Sequence, residues 1–177
     1  IDELADESII TITNNGKNVV RLLASPFELG DLAFGHIVCE GRGTISAVQV
    51  NGLEVNIEGE IRARPTDDLL TASCGACTTG DVEMPDGEVG NTVFIHTDLN
   101  QIMDTMRDNQ PWFEATGGMH AAALFDVDGN ILLIREDIGR HNAFDKVVGA
   151  AMRQDISPKI IVLSSRIGWE LVAKATR

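Results

Sequence analysis

Positive charge is scarce in this chain of 177 residues: 14 Lys and Arg stand against 27 Asp and Glu, a formal charge of −13. An acidic surface is repelled by phosphate backbones and anionic bilayers, which argues against nucleic acid and membrane as partners. It remains compatible with a local basic pocket for an anionic ligand. No apolar run approaches the ~18 residues of a membrane span. The first residues carry no signal-peptide pattern. Cysteine is rare too, with three copies, which suits a reducing cytoplasm better than a disulfide framework. There is no G-x-x-x-x-G-K-[ST] loop and no G-x-G-x-x-G turn after a strand, so ATP or dinucleotide binding by those routes finds no support. Asp126-Val127-Asp128-Gly129-Asn130 faintly resembles a calcium loop. Its glycine sits at the wrong offset and the closing glutamate is missing, so it reads as a plain turn.

What the chain does have is a cysteine pair, Cys74 and Cys77, in Ser73-Cys74-Gly75-Ala76-Cys77-Thr78. This spacing brings two sulfurs within reach of one metal, one disulfide or one transferred sulfur atom. The glycine between them lets the backbone turn tightly and leaves a sulfur uncovered. Only the thiolate is a useful nucleophile, so the surroundings of the pair decide its chemistry. Cys39 has no such neighbour.

With 44% hydrophobic residues the chain can bury a core, and its length fits one domain or one domain with an appendage. Residues 8–24 alternate around Asn15-Gly16, and 45–58 alternate around Asn51-Gly52, the signature of two hairpins. Ser25-Pro26-Phe27-Glu28 reads as a helix start, with a capping serine, proline first and glutamate third. Leu29, Leu32, Ala33, Phe34 and Ile37 form its apolar face, and Gly41 ends it. A Gly/Asp/Pro-rich loop covers 78–90, and a short strand is expected at 93–96. A helix is expected at 98–108, with Leu99, Ile102, Met103 and Met106 on a core-facing side. Strands at 121–126 and 131–135 flank Asp128-Gly129. A helix at about 141–153, a buried strand at 160–164 and a last helix from about 167 follow. The expected layout is a β-rich part with one helix over 1–72, a mobile cysteine-bearing loop over 73–90, and an α/β core over 91–177. The chain opens at Ile1 without methionine and stops at Arg177 inside a helical pattern, so further sequence is expected to complete it.

Two more segments stand out. In Thr116-Gly117-Gly118-Met119-His120-Ala121-Ala122-Ala123, two glycines precede a histidine, with a helix start as the plain reading. Backbone N–H groups at such a turn can hold an anion. In Arg135-Glu136-Asp137-Ile138-Gly139-Arg140-His141-Asn142-Ala143-Phe144-Asp145-Lys146, five polar groups (Asp137, Arg140, His141, Asn142, Lys146) crowd a strand-to-helix junction. That is the usual ligand position in α/β folds. Arginine and lysine suit phosphate, and asparagine suits a base edge.

Together these blocks resemble the formate dehydrogenase accessory sulfurtransferases, the FdhD family. The resemblance covers nearly the whole chain: Ser25-Pro26, Cys39-Glu40-Gly41, Cys74-Gly75-Ala76-Cys77, residues 116–123 and residues 136–146. Two positions depart from the family pattern: Ser164-Ser165-Arg166 replaces Ser-Gly-Arg, and Thr78 stands where glycine is common. The resemblance implies a cytidine-deaminase-like α/β/α core with an added β-rich N-terminal part. It implies a cysteine persulfide on the C-x-x-C loop, loaded by a cysteine desulfurase. The sulfur would pass to a molybdenum or tungsten bis-pterin guanine dinucleotide cofactor destined for the formate dehydrogenase catalytic subunit. It also implies a homodimer.

On this reading Cys74 carries the sulfur and Cys77 assists, since a second thiol can release sulfur by attacking the persulfide. Thr116, Gly117, Gly118, His120, Asp137, Arg140, His141, Asn142, Lys146 and Arg166 are expected to hold the cofactor, for which GDP is a probe. The pair is expected to be metal-free, because His120 is the one further ligand in view and structural zinc takes four. A zinc deaminase is the rival enzyme class, but deaminases place H-x-E before P-C-x-x-C. Here the histidine follows the cysteines, without that glutamate or proline. A non-enzymatic cofactor-binding chaperone is the third class.

Overall fold

Asn15 and Gly16 both adopt positive φ, 51° and 73°, which matches the right-handed twist of a hairpin. They join β1 (Ser8–Asn14) to antiparallel β2 (Lys17–Ala24). Asn51-Gly52 likewise joins β3 (Gly43–Asn51) to β4 (Glu54–Ile61). The computed structural model describes residues 3–62, 69–70 and 97–177. Within them, β4 runs parallel to β1, and the short β5 (Leu69–Leu70) runs parallel to β2. The first sheet has the order β3-β4-β1-β2-β5.

Helix α1 (Leu29–Cys39) packs Leu29, Leu32, Ala33 and Ile37 against Ile10, Ile12, Val20, Val55 and Ile57 of that sheet. It begins four residues after the expected Ser25 cap. Glu28 takes a left-handed φ of 55° and makes no side-chain cap; it pairs with Arg135 at 3.3 Å instead. Ser25 is used elsewhere: its N–H donates to Asp137 Oδ2 (3.1 Å) and its hydroxyl accepts from Ile138 N (3.1 Å). At the other end Gly41, at φ 61°, closes the helix as expected. There the Gly41 and Arg42 amides donate to Val38 and Ile37 carbonyls at 2.9 Å.

The second sheet has the order β7-β6-β8, all antiparallel, from β6 (His120–Phe125), β7 (Ile131–Asp137) and β8 (Ile160–Leu163). Residues 116–123 therefore lead into a strand, not a helix. Alternate β6 residues serve two layers. Ala122 and Leu124 pack with Ala143, Phe144 and Val147 of α4 (Arg140–Arg153). Ala123 and Phe125 pack with Ile102 and Met106 of α2 (Leu99–Arg107). The mixed helix-and-sheet layering is that of an α/β fold. Of the expected α2 face, Ile102 and Met106 are buried while Leu99 and Met103 are exposed. The hairpin after β6 is a plain turn: Asp126 Oδ1 accepts from the Asp128 and Asn130 amides at 2.9 Å each. Two short helices complete the described part, α3 (Pro111–Thr116), which the sequence pattern did not reveal, and α5 (Trp169–Ala175). Among the described residues no helix is long and apolar enough to cross a membrane.

Helices α1 and α4 join the halves through two glycines. A β-carbon on Gly35 would overlap the Asp145 carbonyl oxygen, and one on Gly149 would overlap that of Asp31. Arg135 and Arg153 both pair with Asp31 across this crossing.

Candidate functional site

The end of β7 and the start of α4 form the expected polar junction, and most of it is closed. Asp137 and Lys146 are each 0% exposed, with Nζ 2.8 Å from Oδ2. Lys146 also donates to the carbonyls of Glu136 (3.2 Å) and Ser25 (3.4 Å), and lies 4.0 Å above the Phe27 ring. Burial pushes its ammonium below the ordinary lysine range, and Asp137 opposes that shift. Asp137 further accepts from Ser25 N, Gly139 N and Asn142 Nδ2. Asn142 spends its second amide hydrogen on the Leu23 carbonyl (3.0 Å). The ammonium and carboxylate of this pair are thus matched inside the protein, and Asn142's amide hydrogens are both used. The expected phosphate contact at Lys146 and base contact at Asp137 or Asn142 would require breaking these bonds.

One turn further along α4, Asp145 organises a second buried network that sequence reasoning missed. Lys174 of α5 donates to both its oxygens at 2.8 Å, and His36 Nδ1 lies 3.1 Å away. Lys174 also pairs with Glu40 at 3.1 Å. Burial alone would raise the Asp145 carboxyl, but Lys174 and His36 together hold it below its ordinary value. Cys39 sits in this core, and its thiol is pushed well up by burial and by the Asp145 charge, so it is a protonated packing residue. Charged residues inside the run Ala143-Phe144-Asp145-Lys146-Val147 were the available signal, because such groups are buried only when paired.

The open chemistry lies beside this junction. His120 faces Asp137 across the β6–β7 register and is half-buried. Burial, then the nearby Arg140 charge, lower its pKa, with Asp137 opposing. Arg140 begins α4 and lies 3.8 Å from Glu170. His141 Nε2 is 3.3 Å from the same carboxylate, but without the alignment of a hydrogen bond. Burial, then Lys174 and Arg140, push His141 down as well. Arg166 is exposed on the turn after β8. The first-turn N–H groups of α4 have no partner inside the helix and favour an anion. The expected glycine donors are already used: Gly117 N donates to Phe113 O (2.7 Å), closing α3, and Gly118 N donates to Thr116 Oγ1 (3.2 Å).

A cleft of about 450 Å³ opens on the other side of His120, toward α2 and α3. Met106, Met119 and Phe113 give it apolar walls, while Arg107, Gln110, Gly117, Gly118, His120 and Ser164 supply polar edges. Ser164 is held in place by accepting from Ala121 N at 2.8 Å. Of the expected residues the cleft thus takes in His120, Gly117 and Gly118, together with α2 and α3 residues that the motifs did not include. Cys74 and Cys77 lie outside the described residues, as do the expected strand at 93–96 and the loop at 78–90. Among the described residues no group of three or more His, Cys, Asp and Glu could hold a metal ion.

The sequence profile described as the FdhD/NarQ family matches residues 5–177. The sulfur carrier protein FdhD of Bordetella petrii is 34% identical over 200 residues, an alignment covering 98% of this chain and 69% of that one. That of Sulfolobus acidocaldarius is 32% identical, covering 99% of this chain and 74% of the other. A crystal structure of a protein from Desulfotalea psychrophila, taken to be a formate dehydrogenase accessory protein, superposes with a TM-score of 0.77. That match covers 99% of this chain and 72% of the other at 19% identity, so it speaks to the fold.

Proposed function

The chain belongs to the FdhD/NarQ family, and on that premise we propose that it is a sulfur carrier in formate dehydrogenase maturation. The observation that carries this is the near full-length likeness to proteins named sulfur carrier protein FdhD, in a chain that holds the Cys74/Cys77 pair. The Cys74 thiolate attacks the outer sulfur of a cysteine desulfurase persulfide. A new S–S bond forms at Cys74, the donor's S–S bond breaks, and the donor cysteine leaves as thiolate. Attack of Cys77 on the Cys74 sulfur then expels the outer sulfur as hydrosulfide and leaves a disulfide, which an external dithiol reduces. Cys39, buried and protonated, takes no part.

The acceptor is the molybdenum or tungsten bis-pterin guanine dinucleotide, bound as substrate before it reaches the formate dehydrogenase catalytic subunit. It is polyanionic; Arg140 and the first-turn N–H groups of α4 offer it positive charge in an otherwise acidic protein. His120 and His141 stand near Arg140 as neutral hydrogen-bonding side chains, and Arg166 is an exposed cation on the turn after β8. Lys146 and Asp137 shape the start of α4 from beneath. The working form is a cytoplasmic homodimer. The test is intact mass spectrometry after incubation with a cysteine desulfurase and cysteine. A gain of one sulfur mass, lost in Cys74→Ala and kept in Cys77→Ala, is expected. Full loading of Cys74→Ala with none in Cys77→Ala reverses the two roles. Full formate dehydrogenase activity with both single variants in a deletion strain ends the sulfur-carrier reading.

A further inference from the structure

We infer that Gln110 reads the ring edge of the bound nucleotide, and that the cleft between α2 and β6 is the subsite for its heteroaromatic ring. The inference rests on the cofactor reading above and adds where the ring sits and what selects it.

Gln110 is 6% exposed. It occupies the N-cap position of α3 yet makes no capping bond. Glu136 has taken over that task from across the fold, accepting from Trp112 N (3.0 Å) and Phe113 N (2.8 Å). The Gln110 carboxamide is therefore left without a hydrogen-bond partner among the described residues, although it lines the cleft. The stem of Gln110 is packed into the protein while its polar end reaches the cleft, so a donor and an acceptor are presented there without a competing bond from the fold.

The rest of the cleft defines their partner. Met106 and Met119 are 2% and 5% exposed, and Phe113 stands beside them. Thioethers and an aromatic ring pack against a flat π-system. The volume of about 450 Å³ falls in the range of small-molecule sites. At the rim, Arg107 is held only by an exposed contact of 3.5 Å to Asp104, and His120 is half-buried. Ring inward and phosphates outward is the orientation this distribution favours. A carboxamide carries a donor and an acceptor side by side. It can donate to the ring carbonyl and accept from the adjacent ring N–H of a 2-amino-4-oxopyrimidine. Guanine and pterin share that edge, so one pocket serves either end of such a cofactor.

GDP and ADP are the probes, measured by calorimetry on the full chain. Gln110→Leu is expected to weaken GDP by about tenfold or more at a nearly unchanged unfolding temperature, since leucine keeps the packed stem and the carboxamide makes no capping bond. Gln110→Glu supplies only acceptors, which suit the guanine N1–H and N2–H but face the bare N1 of adenine. The GDP-to-ADP affinity ratio should rise by about tenfold, and the ratio cancels the effect of the added charge on the phosphates. A purely structural role would leave that ratio alone. GDP affinity within about twofold of the unmutated chain in Gln110→Leu, or an unchanged ratio in Gln110→Glu, overturns the inference. Failure of the unmutated chain to bind GDP overturns it together with the nucleotide-cofactor reading. Sulfur loading of Cys74 would stand independently of either result.

Discussion

The β7–α4 junction and the cleft beside it share residue types but differ in how those residues are satisfied. At the junction Lys146, Asp137 and Asn142 are buried, and their strongest donors and acceptors have protein partners. In the cleft Gln110 presents a carboxamide with no hydrogen-bond partner among the described residues; Arg107 on its rim, and Arg140 on the other side of His120, have only long or exposed ion pairs. A cation in a motif is thus no guide to ligand contact until its partners are known. A matched group builds the frame, and an unmatched one is available to a ligand.

The largest expected effect falls on the closed side. Lys146→Ala removes one partner of a buried ion pair and strands Asp137, which should cost about 3–5 kcal/mol of stability. Urea denaturation measures this. A loss below about 1 kcal/mol, the range of surface pairs, would mean that the junction is open after all. Lys174→Ala should behave the same way, because Asp145 and Glu40 lose their shared cation.

On the open side the expected effect is on binding. Arg140→Ala should leave the unfolding temperature nearly unchanged, since its pairing to Glu170 is long at 3.8 Å. GDP affinity should fall about ten- to a hundredfold, the worth of a charged contact of roughly 1.5–3 kcal/mol. Titration of Arg140→Ala and His120→Ala decides it: unchanged affinity in both would move the phosphates away from α4. A large stability loss in Arg140→Ala would instead place Arg140 with the frame.

The contrast explains what the sequence could and could not reveal. The hairpins at Asn15-Gly16, Asn51-Gly52 and Asp128-Gly129 were legible because turn chemistry is local. Ser25 was misread as a helix cap because its partners, Asp137 and Ile138, lie more than a hundred positions away in the chain. Helix α3 escaped notice for a similar reason. It is six residues long, and the carboxylate that caps it, Glu136, sits on β7. The polar cluster after β7 is visible in the sequence, but the pattern does not show which cation turns inward. Gln110 carried no signal beyond preceding Pro111, which marks a helix boundary and says nothing of a ligand.

A third substitution tests the frame where it has no charge at all. Gly149→Ala places a methyl against the Asp31 carbonyl at the α1–α4 crossing. Overpacking of this kind costs about 1–3 kcal/mol. Because Asp31 also anchors Arg135 and Arg153, the loss should approach the upper value. Denaturant unfolding of Gly149→Ala checks it, and a neutral result would show that the helices can separate without penalty.

The smallest expected effect is on pH dependence, and here the two regions meet. His120 and His141 both have pKa values below the ordinary 6.5, lowered first by burial and then by neighbouring cations. The unfolded chain therefore binds protons more readily than the folded one between those lowered values and about 6.5. Stability from these histidines is fully present above that pH and is lost as pH falls through the window. Burial holds the Glu28 and Glu136 carboxyls above their usual range; these protonate first in the folded chain and act in the opposite direction at lower pH. The informative quantity is therefore a difference. The decline in melting temperature between about pH 7.5 and 5.5 should be shallower in His141→Gln than in the unmutated chain. Saturating GDP should also flatten the decline of the unmutated chain, because an anion beside His120 stabilises its charged form. If GDP flattens it in the unmutated chain and equally in His120→Ala, the phosphates do not reach His120. They would then belong at Arg107, on the far rim of the cleft.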